Sequence, residues 1–205
     1  MGSAPVVDGP IELPPGITVV DPDAAPAKRR RVAAATADLA AIPRTPTGAA
    51  AVPFTVRGVT IHSLGTVVSD RPAFHNHAYI WPVGYEISRP MASYVTPGST
   101  VTYRGWVEDG ETGPIFAIAA EDDPATVFRN ETSSTAWREV LERIRQRAVS
   151  VSGPEMFLFA DPTVRALVQE LPGARECERY VWTDPTDEAP AAGKLVVRLR
   201  LGKKG

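Results

Sequence analysis

Residues 101–119 read VTYRGWVEDGETGPIFAIA and decide the fold class, because two strand-like runs in them flank a turn. The runs at 101–108 and 114–119 are rich in β-branched and aromatic residues, which is typical of strands. Between them, Asp109 and Gly110 form a dipeptide that strongly favours a hairpin turn. The stretch therefore predicts two neighbouring antiparallel strands.

Two more strands are predicted on the N-terminal side of this hairpin. Residues 56–68 are β-branched and alternate in polarity, and they end before a Ser-Asp-Arg-Pro turn. Residues 79–87 give a second strand pattern, in which Pro82 and Gly84 indicate an edge, a bend or a bulge.

On the C-terminal side the apolar period lengthens to that of a helix. Apolar residues recur at helical spacing over 137–148, and Ser133 or Ser134 is placed to cap the start of this helix. Asp161 followed by Pro162 predicts the N-cap and first residue of a second helix, which a Pro-Gly pair ends. Strands followed by two helices predict an α+β fold, with both helices packed on one face of an antiparallel sheet.

The segments on either side differ in composition from residues 53–182, which we expect to form a single domain. Residues 1–52 are rich in Pro, Ala and Gly, which predicts a disordered arm. Within the arm, residues 32–42 have the propensity for one short helix, marginal in water unless it docks. Residues 183–205 are a basic tail or contain an edge strand at 194–201, KLVVRLRL.

Composition and charge narrow the class of protein. The chain has 205 residues, 43% of them hydrophobic and 22% charged, as in ordinary globular proteins. No apolar run is long enough to span a membrane, and a lone cysteine forms no internal disulfide, so we expect a soluble intracellular protein. Residues 51–182 hold 12 Lys/Arg against 16 Asp/Glu, a charge of −4 that disfavours direct DNA binding by the folded part.

The arm contains a cluster of four consecutive cations: Lys28, Arg29, Arg30 and Arg31. Such a cluster suits the acidic grooves of nuclear import receptors, and the neighbouring proline and alanine residues keep it accessible. The alternative is a solvated charge run without a receptor. The cluster predicts an import signal and a nuclear location.

Two linked blocks of the sequence resemble the FYRN and FYRC motifs, over about 58–95 and about 100–182. The FYRN-like positions are Leu64, Gly65, Phe74, His75, Tyr79, Ile80, Trp81, Pro82, Val83, Gly84, Tyr85 and Arg89. The FYRC-like positions are Gly113, Pro114, Phe116, Trp137, Phe157, Phe159, Pro162, Cys177 and Tyr180. One departure is Leu158, where the family usually has glycine; if the position needs a positive φ, leucine is strained there by about 1 kcal/mol or more.

The resemblance implies both a fold and a cellular role. FYRN–FYRC pairs occur in trithorax and mixed-lineage-leukaemia type histone methyltransferases, in some plant histone demethylases and in transforming growth factor beta regulator 1. In these the two motifs fold as one α+β unit. With both motifs adjacent and no room for a methyltransferase domain, the chain resembles the small growth-regulator branch. This implies a nuclear, non-enzymatic interaction module in chromatin-linked transcriptional, cell-growth or cell-cycle regulation, whose motif residues are mainly structural and whose partners are nuclear or chromatin proteins.

The residues that could carry chemistry are not arranged as catalytic or metal sites usually are. His75 and His77 are the one closely spaced pair of metal-ligand type, with His62 and Cys177 isolated in the sequence. No nucleophile elbow, phosphate loop or dinucleotide fingerprint occurs. We therefore expect no enzyme activity, metal or cofactor, and a structural role for His75 and Cys177.

Aromatic residues leave a second functional hypothesis open. Ten are spaced along predicted strands and helix faces: Phe74, Tyr79, Trp81, Tyr85, Tyr103, Trp106, Phe116, Trp137, Phe157 and Tyr180. Their spacing favours a core. The alternative is a histone-tail reader with an aromatic pocket for methylated lysine. Aromatic side chains left exposed would indicate a surface for a partner.

Overall fold

The computed structural model describes the backbone of residues 17–18 and the structure of residues 37–145 and 150–182. Its centre is a six-stranded antiparallel sheet in which each strand pairs with the next along the chain. The strands are β2 (Phe54–Val56), β3 (Val59–Thr66), β4 (Val83–Ala92), β5 (Thr100–Asp109), β6 (Pro114–Ala120) and β7 (Asp123–Asn130). A separate pair joins β1 (Ile17–Thr18) to β8 (Ser150–Val151).

The helices are α1 (Ser133–Arg145), α2 (Gly153–Met156) and α3 (Pro162–Gln169), with 3-10 turns at Pro72–Phe74 and Ala174–Glu176. Buried rings from the sheet meet buried rings from this half of the chain, as where Tyr103 on β5 lies 6.3 Å from Trp137 on α1. The predicted α+β fold with helices against an antiparallel sheet is confirmed.

The central hairpin forms where the sequence predicts it. Asp109 at the end of β5 pairs with Pro114 at the start of β6, and residues 110–113 turn between them. A Cβ atom on Gly110 would lie 2.4 Å from the Gly113 carbonyl oxygen, so the turn has no room for a larger residue.

Two strand predictions differ from the structure, and one strand of the sheet was not predicted. The stretch at 56–68 contains the turn of a hairpin, because Arg57 (φ 49°) and Gly58 (φ 76°) turn the chain between β2 and β3. The strand predicted at 79–87 begins at Val83, since the residues before it form a loop held by a bridge between His75 and Ile80. Strand β7 was not predicted.

The helix starts agree with the sequence, with one change of cap. The α1 helix begins at Ser133, but Thr132 is its cap, since its hydroxyl accepts a hydrogen bond from the Thr135 amide. Ser134 accepts instead from the Gly153 amide, 3.0 Å away. The prediction for α3 is confirmed: the Asp161 carboxylate accepts from the amides of its second and third residues.

The arm predicted at 1–52 is too long. Within residues 37–52, Ile42 is buried, and the Asp38 amide donates to Thr163 Oγ1 on α3 at 2.9 Å. Arg44 forms an ion pair with Glu170. Of the short helix predicted at 32–42, the described residues 37–42 are irregular with a turn at 40–41, where hydrogen bonds to α3 and within the segment replace those of a helix.

Candidate interaction surface

The two motif blocks meet in a shared core of aromatic rings. The Tyr85 hydroxyl on β4 donates to the Phe157 carbonyl oxygen at 2.7 Å, and its ring centroid is 4.5 Å from that of Phe159. The ring centroid of Trp81, in the first block, lies 6.0 Å from that of Phe116 on β6, in the second. Because each ring covers a ring of the other block, neither block buries its apolar side chains alone.

The predicted motif residues lie mostly in or beside this core. Those that are buried are Leu64, Phe74, His75, Ile80, Pro82, Tyr85, Arg89, Pro114, Phe116, Trp137, Phe157, Phe159, Pro162, Cys177 and Tyr180. Those of intermediate exposure are Gly65, Tyr79, Trp81, Val83 and Gly113, and Gly84 is exposed.

Gly65 illustrates why the motif needs a particular residue. It has a φ of 73°, and a Cβ atom there would lie 2.5 Å from the Tyr85 amide nitrogen on β4. Only glycine allows this close approach of β3 to β4 at a positive φ.

Arg89 is the cation buried deepest in the core, and the described residues give it no carboxylate partner. Its Nη1 atom donates to the Met156 carbonyl oxygen at 2.9 Å, and its guanidinium lies 5.8 Å from the Trp137 ring centroid. Burial lowers the pKa of Arg89 to about 10. The residue therefore ties β4 to the end of α2.

The histidines and the cysteine are spread over the molecule. Burial, reinforced by the charge of Arg179, lowers the pKa of His75. His62 Nε2 lies 2.7 Å from the Ser88 hydroxyl on the exposed face of the sheet. Burial raises the pKa of the Cys177 thiol. Within the described ranges, no three His, Cys, Asp or Glu side chains are grouped closely enough to hold a metal ion.

The face of the sheet opposite the helices carries an open groove of about 800 Å³, which we call the outer-face groove. Its lining comes from strands β3 to β7 and the β6–β7 turn: His62, Glu86, Ser88, Thr102, Arg104, Trp106, Ala119, Ala120, Glu121, Pro124 and Val127. Small side chains form its floor on β6, and Trp106 on β5 stands beside them. Trp106 is the one aromatic side chain in this lining.

Ion pairs fix the long side chains along the groove. Glu86 accepts from Arg104 Nε at 2.7 Å and from its Nη2 at 2.8 Å. Glu108 accepts both from Arg129 and from the Trp106 indole N–H, the latter at 2.8 Å. The bond from Arg129 lowers the pKa of Glu108. These contacts hold the Trp106 ring beside the floor in a defined orientation.

The alternation of buried and exposed residues along β5 indicates this surface, but the sequence analysis did not predict it. Thr102, Arg104 and Trp106 alternate with the buried residues of β5, and so share the outer face. The groove, however, depends on the register that sets Ala119 beside Arg104 and Ala117 beside Trp106.

Two predicted features of the flanking segments lie outside the described residues. They are the cation cluster at Lys28, Arg29, Arg30 and Arg31 and the basic run at 194–201. In the part of the chain that is described, no helix is long and apolar enough to cross a membrane.

Comparison with known proteins identifies both blocks. The family described as "F/Y-rich N-terminus" (FYRN) matches residues 51–110, and "F/Y rich C-terminus" (FYRC) matches residues 113–187. Transforming growth factor beta regulator 1 of Homo sapiens is 33% identical over 156 residues, which cover 73% of this chain and 38% of that protein. The Xenopus tropicalis protein of the same name is 32% identical over 165 residues, which cover 77% of this chain and 40% of that protein.

A histone methyltransferase also shares this region. Histone-lysine N-methyltransferase TRX1 of Oryza sativa subsp. japonica is 32% identical over 142 residues, or 62% of this chain and 14% of that protein. The chain thus spans about two fifths of the length of the growth-factor regulators and a much smaller part of the methyltransferase.

Proposed function

Because the chain contains both motifs and belongs to the FYRN/FYRC family, we propose that it is a nuclear, non-enzymatic interaction module in chromatin-linked transcriptional or cell-growth regulation. The names of its relatives, a growth-factor regulator and a histone methyltransferase, support this setting. In this proposal the module binds nuclear or chromatin proteins and catalyses no reaction.

The observation that carries the proposal is a difference between the two faces of the sheet. One face is covered by helices and aromatic rings, while the other presents the outer-face groove with Trp106 beside a floor of small side chains. Tryptophan beside an apolar floor, with a polar rim, is the arrangement expected of a docking surface. We propose that partners bind in this groove.

The histone-reader hypothesis has less support. Seven of the ten aromatic residues considered as a pocket are buried: Phe74, Tyr85, Tyr103, Phe116, Trp137, Phe157 and Tyr180. A cage for methylated lysine needs open ring faces around one cation, and the groove offers a single ring.

A partner-capture experiment tests the proposed surface. The tagged chain and two variants are incubated with nuclear extract, and bound proteins are quantified by mass spectrometry. Ala119→Arg places a long side chain on the groove floor, whereas Ala40→Arg makes the same change at an exposed position on the α3 side of the molecule.

We expect chromatin proteins to be enriched by the unchanged chain and by Ala40→Arg, and lost with Ala119→Arg. Circular dichroism confirms that both variants are folded. Equal capture by all three proteins would exclude the groove as the surface, and capture without chromatin proteins would exclude the proposed setting.

The nuclear location has a separate test. Replacing Lys28, Arg29, Arg30 and Arg31 with alanine should shift a fluorescent fusion from the nucleus to the cytoplasm, because the import receptor loses its cationic ligand. The matched control replaces four cations elsewhere with alanine: Lys194, Arg198, Arg200 and Lys203. Unchanged nuclear accumulation of the first variant would rule out the cluster as the signal.

A further inference from the structure

We propose that the basic run at 194–201, KLVVRLRL, binds the outer-face groove of its own molecule and competes there with partners. The competition, though not the binding itself, rests on the proposed function. Four properties of the groove and the run support this: shape, charge, reach and periodicity.

The shape of the groove suits an extended segment. Its floor on β6 includes Ala119, while Trp106 and Arg104 on β5 rise beside it. The ion pair of Arg104 with Glu86 holds that wall in place. Apolar side chains of a segment bound on this floor would be removed from water. No pairing between strands of the sheet would have to break.

The charge along the groove is opposite to that of the run. Four carboxylates and two guanidinium groups lie in the lining or next to it: Glu86, Glu108, Glu121 and Asp122, against Arg104 and Arg129. Glu121 forms no ion pair within the described residues. Residues 194–204 contain five cations and no acidic side chain. Opposite charges in a partly covered groove attract and fix the register of binding.

The last described residues lie near the end of the sheet at which β3 ends and β4 begins. Glu176 accepts a hydrogen bond from Ser69, just beyond the end of β3, and the Val181 amide donates to the His77 carbonyl in the loop before β4. Trp106 pairs with Glu86 near the start of β4, at the same end. The eleven residues at 183–193 span up to about 36 Å when extended, more than the width of the groove across four strand spacings.

The periodicity of the run matches an extended segment with one apolar face. Leu195, Val197, Leu199 and Leu201 alternate with Val196, Arg198 and Arg200. In an extended chain the first set faces one side with a repeat of about 6.7 Å, which is also the repeat of outward side chains along β5. The long arginine stems can reach from the opposite side to the rim.

A spin label in the full chain tests this contact. Lys203→Cys places a reactive thiol beside the run, while Cys177 is buried and so reacts poorly. A nitroxide at position 203 broadens the NMR signals of nearby amides. We expect loss of intensity at the Trp106 indole and at the Ala119 and Glu121 amides, independent of protein concentration.

Three comparisons make the result specific. The same label at Ala40→Cys should leave the groove signals unchanged, because that position lies on the α3 side. Adding Ala119→Arg, or Leu199→Ser with Leu201→Ser, to the labelled chain should restore the groove signals. Raising the salt concentration from 0.1 to 1 M shortens the Debye length from about 10 to about 3 Å and should restore them in part.

The outcomes separate this inference from the proposed function. Intensity loss confined to the open edge of β7 would overturn it in favour of strand addition, and loss that grows with concentration would overturn it in favour of a second molecule. An unchanged groove also overturns it, but leaves the proposed function standing if Ala119→Arg still abolishes partner capture. Groove contact without any captured chromatin protein would support binding of the run and contradict the proposed function.

Discussion

Leu158 allows a sharp test of how backbone strain and burial combine in this core. Its φ is 63°, in the left-handed region, and its side chain is 6% exposed. The condition raised by the family's usual glycine, a positive φ, is met at this position. Truncating the side chain and removing the strain are opposite effects, and two substitutions separate them.

The expected magnitudes follow from that geometry. Leu158→Ala keeps the strained backbone and removes a buried side chain, which costs about 2–5 kcal/mol. Going from alanine to glycine relieves about 1–2 kcal/mol of left-handed strain, and the greater freedom of the unfolded glycine chain takes back about 0.5–1 kcal/mol. Leu158→Gly should therefore be more stable than Leu158→Ala by about 0.75 kcal/mol, at the centre of a range of about 0–1.5 kcal/mol, although both are less stable than the parent.

Urea unfolding followed by circular dichroism measures both free energies of unfolding. The matched control is Ala136→Gly inside α1, where the residue is buried and helical, so glycine should cost about 1 kcal/mol. The two alanine-to-glycine steps should thus have opposite signs. If the Leu158→Ala protein is as stable as the Leu158→Gly protein, the backbone there is not strained and the reasoning is wrong.

Three further perturbations have defined outcomes. Trp137→Ala should lower the free energy of unfolding by about 3–5 kcal/mol because the ring is fully buried, and Trp81→Ala by less because its ring is half-buried; urea unfolding compares them. Asp161→Ala should cost about 1–2 kcal/mol through loss of the α3 cap, whereas Asp161→Asn keeps an acceptor and should cost less, as thermal unfolding will show. Because the folded pKa of His75 lies below its unfolded value of about 6.5, the unfolded state binds more protons, and stability is lost as the pH falls from 6.5 towards the folded pKa. Urea titrations between pH 7.5 and 5 should show a smaller loss of stability in His75→Gln than in the parent. The control variant His62→Gln replaces an exposed histidine and should lose as much stability as the parent.

The elements that the sequence predicts well are those specified by neighbouring residues. The Asp109-Gly110 turn needs only its own backbone, and Asp161 caps α3 from the adjacent position. Strand β7 escaped prediction because Asp122, Asp123 and Pro124 are poor strand formers. Its pairing comes from contact with β6, where Phe128 lies opposite Ile118. Tertiary contacts of this kind override local propensity.

The turn at Arg57 shows a different limit. A non-glycine residue at φ 49° is unusual, so an alternating run through it reads as one continuous strand. The Arg57 side chain forms an ion pair with Asp161, 104 residues away, which helps to hold the turn. That contact forms only when α3 is folded against the turn, so no pattern of neighbouring residues predicts it.

The candidate surface could be predicted only in part for the same reason. Alternation in β5 assigns Trp106 to the face away from the core, but the sequence alone does not say which residues lie beside it. The register with β6 supplies Ala117 next to Trp106 and Ala119 next to Arg104, and this pairing creates the floor. A groove is a property of neighbouring strands, whereas a motif is a property of one segment.

The two faces of the sheet therefore differ in how strongly packing constrains their residues. Tyr85 and Tyr103 of the sheet are buried because Phe157, Phe159 and Trp137 cover them. Since the second block covers these rings, their side chains are constrained by packing. The opposite face contributes little to the core, so substitutions in the outer-face groove can change binding without unfolding the domain. If partners bind in the outer-face groove as proposed, recognition is separable from stability, and Ala119 is a better position than any motif aromatic at which to change one without the other.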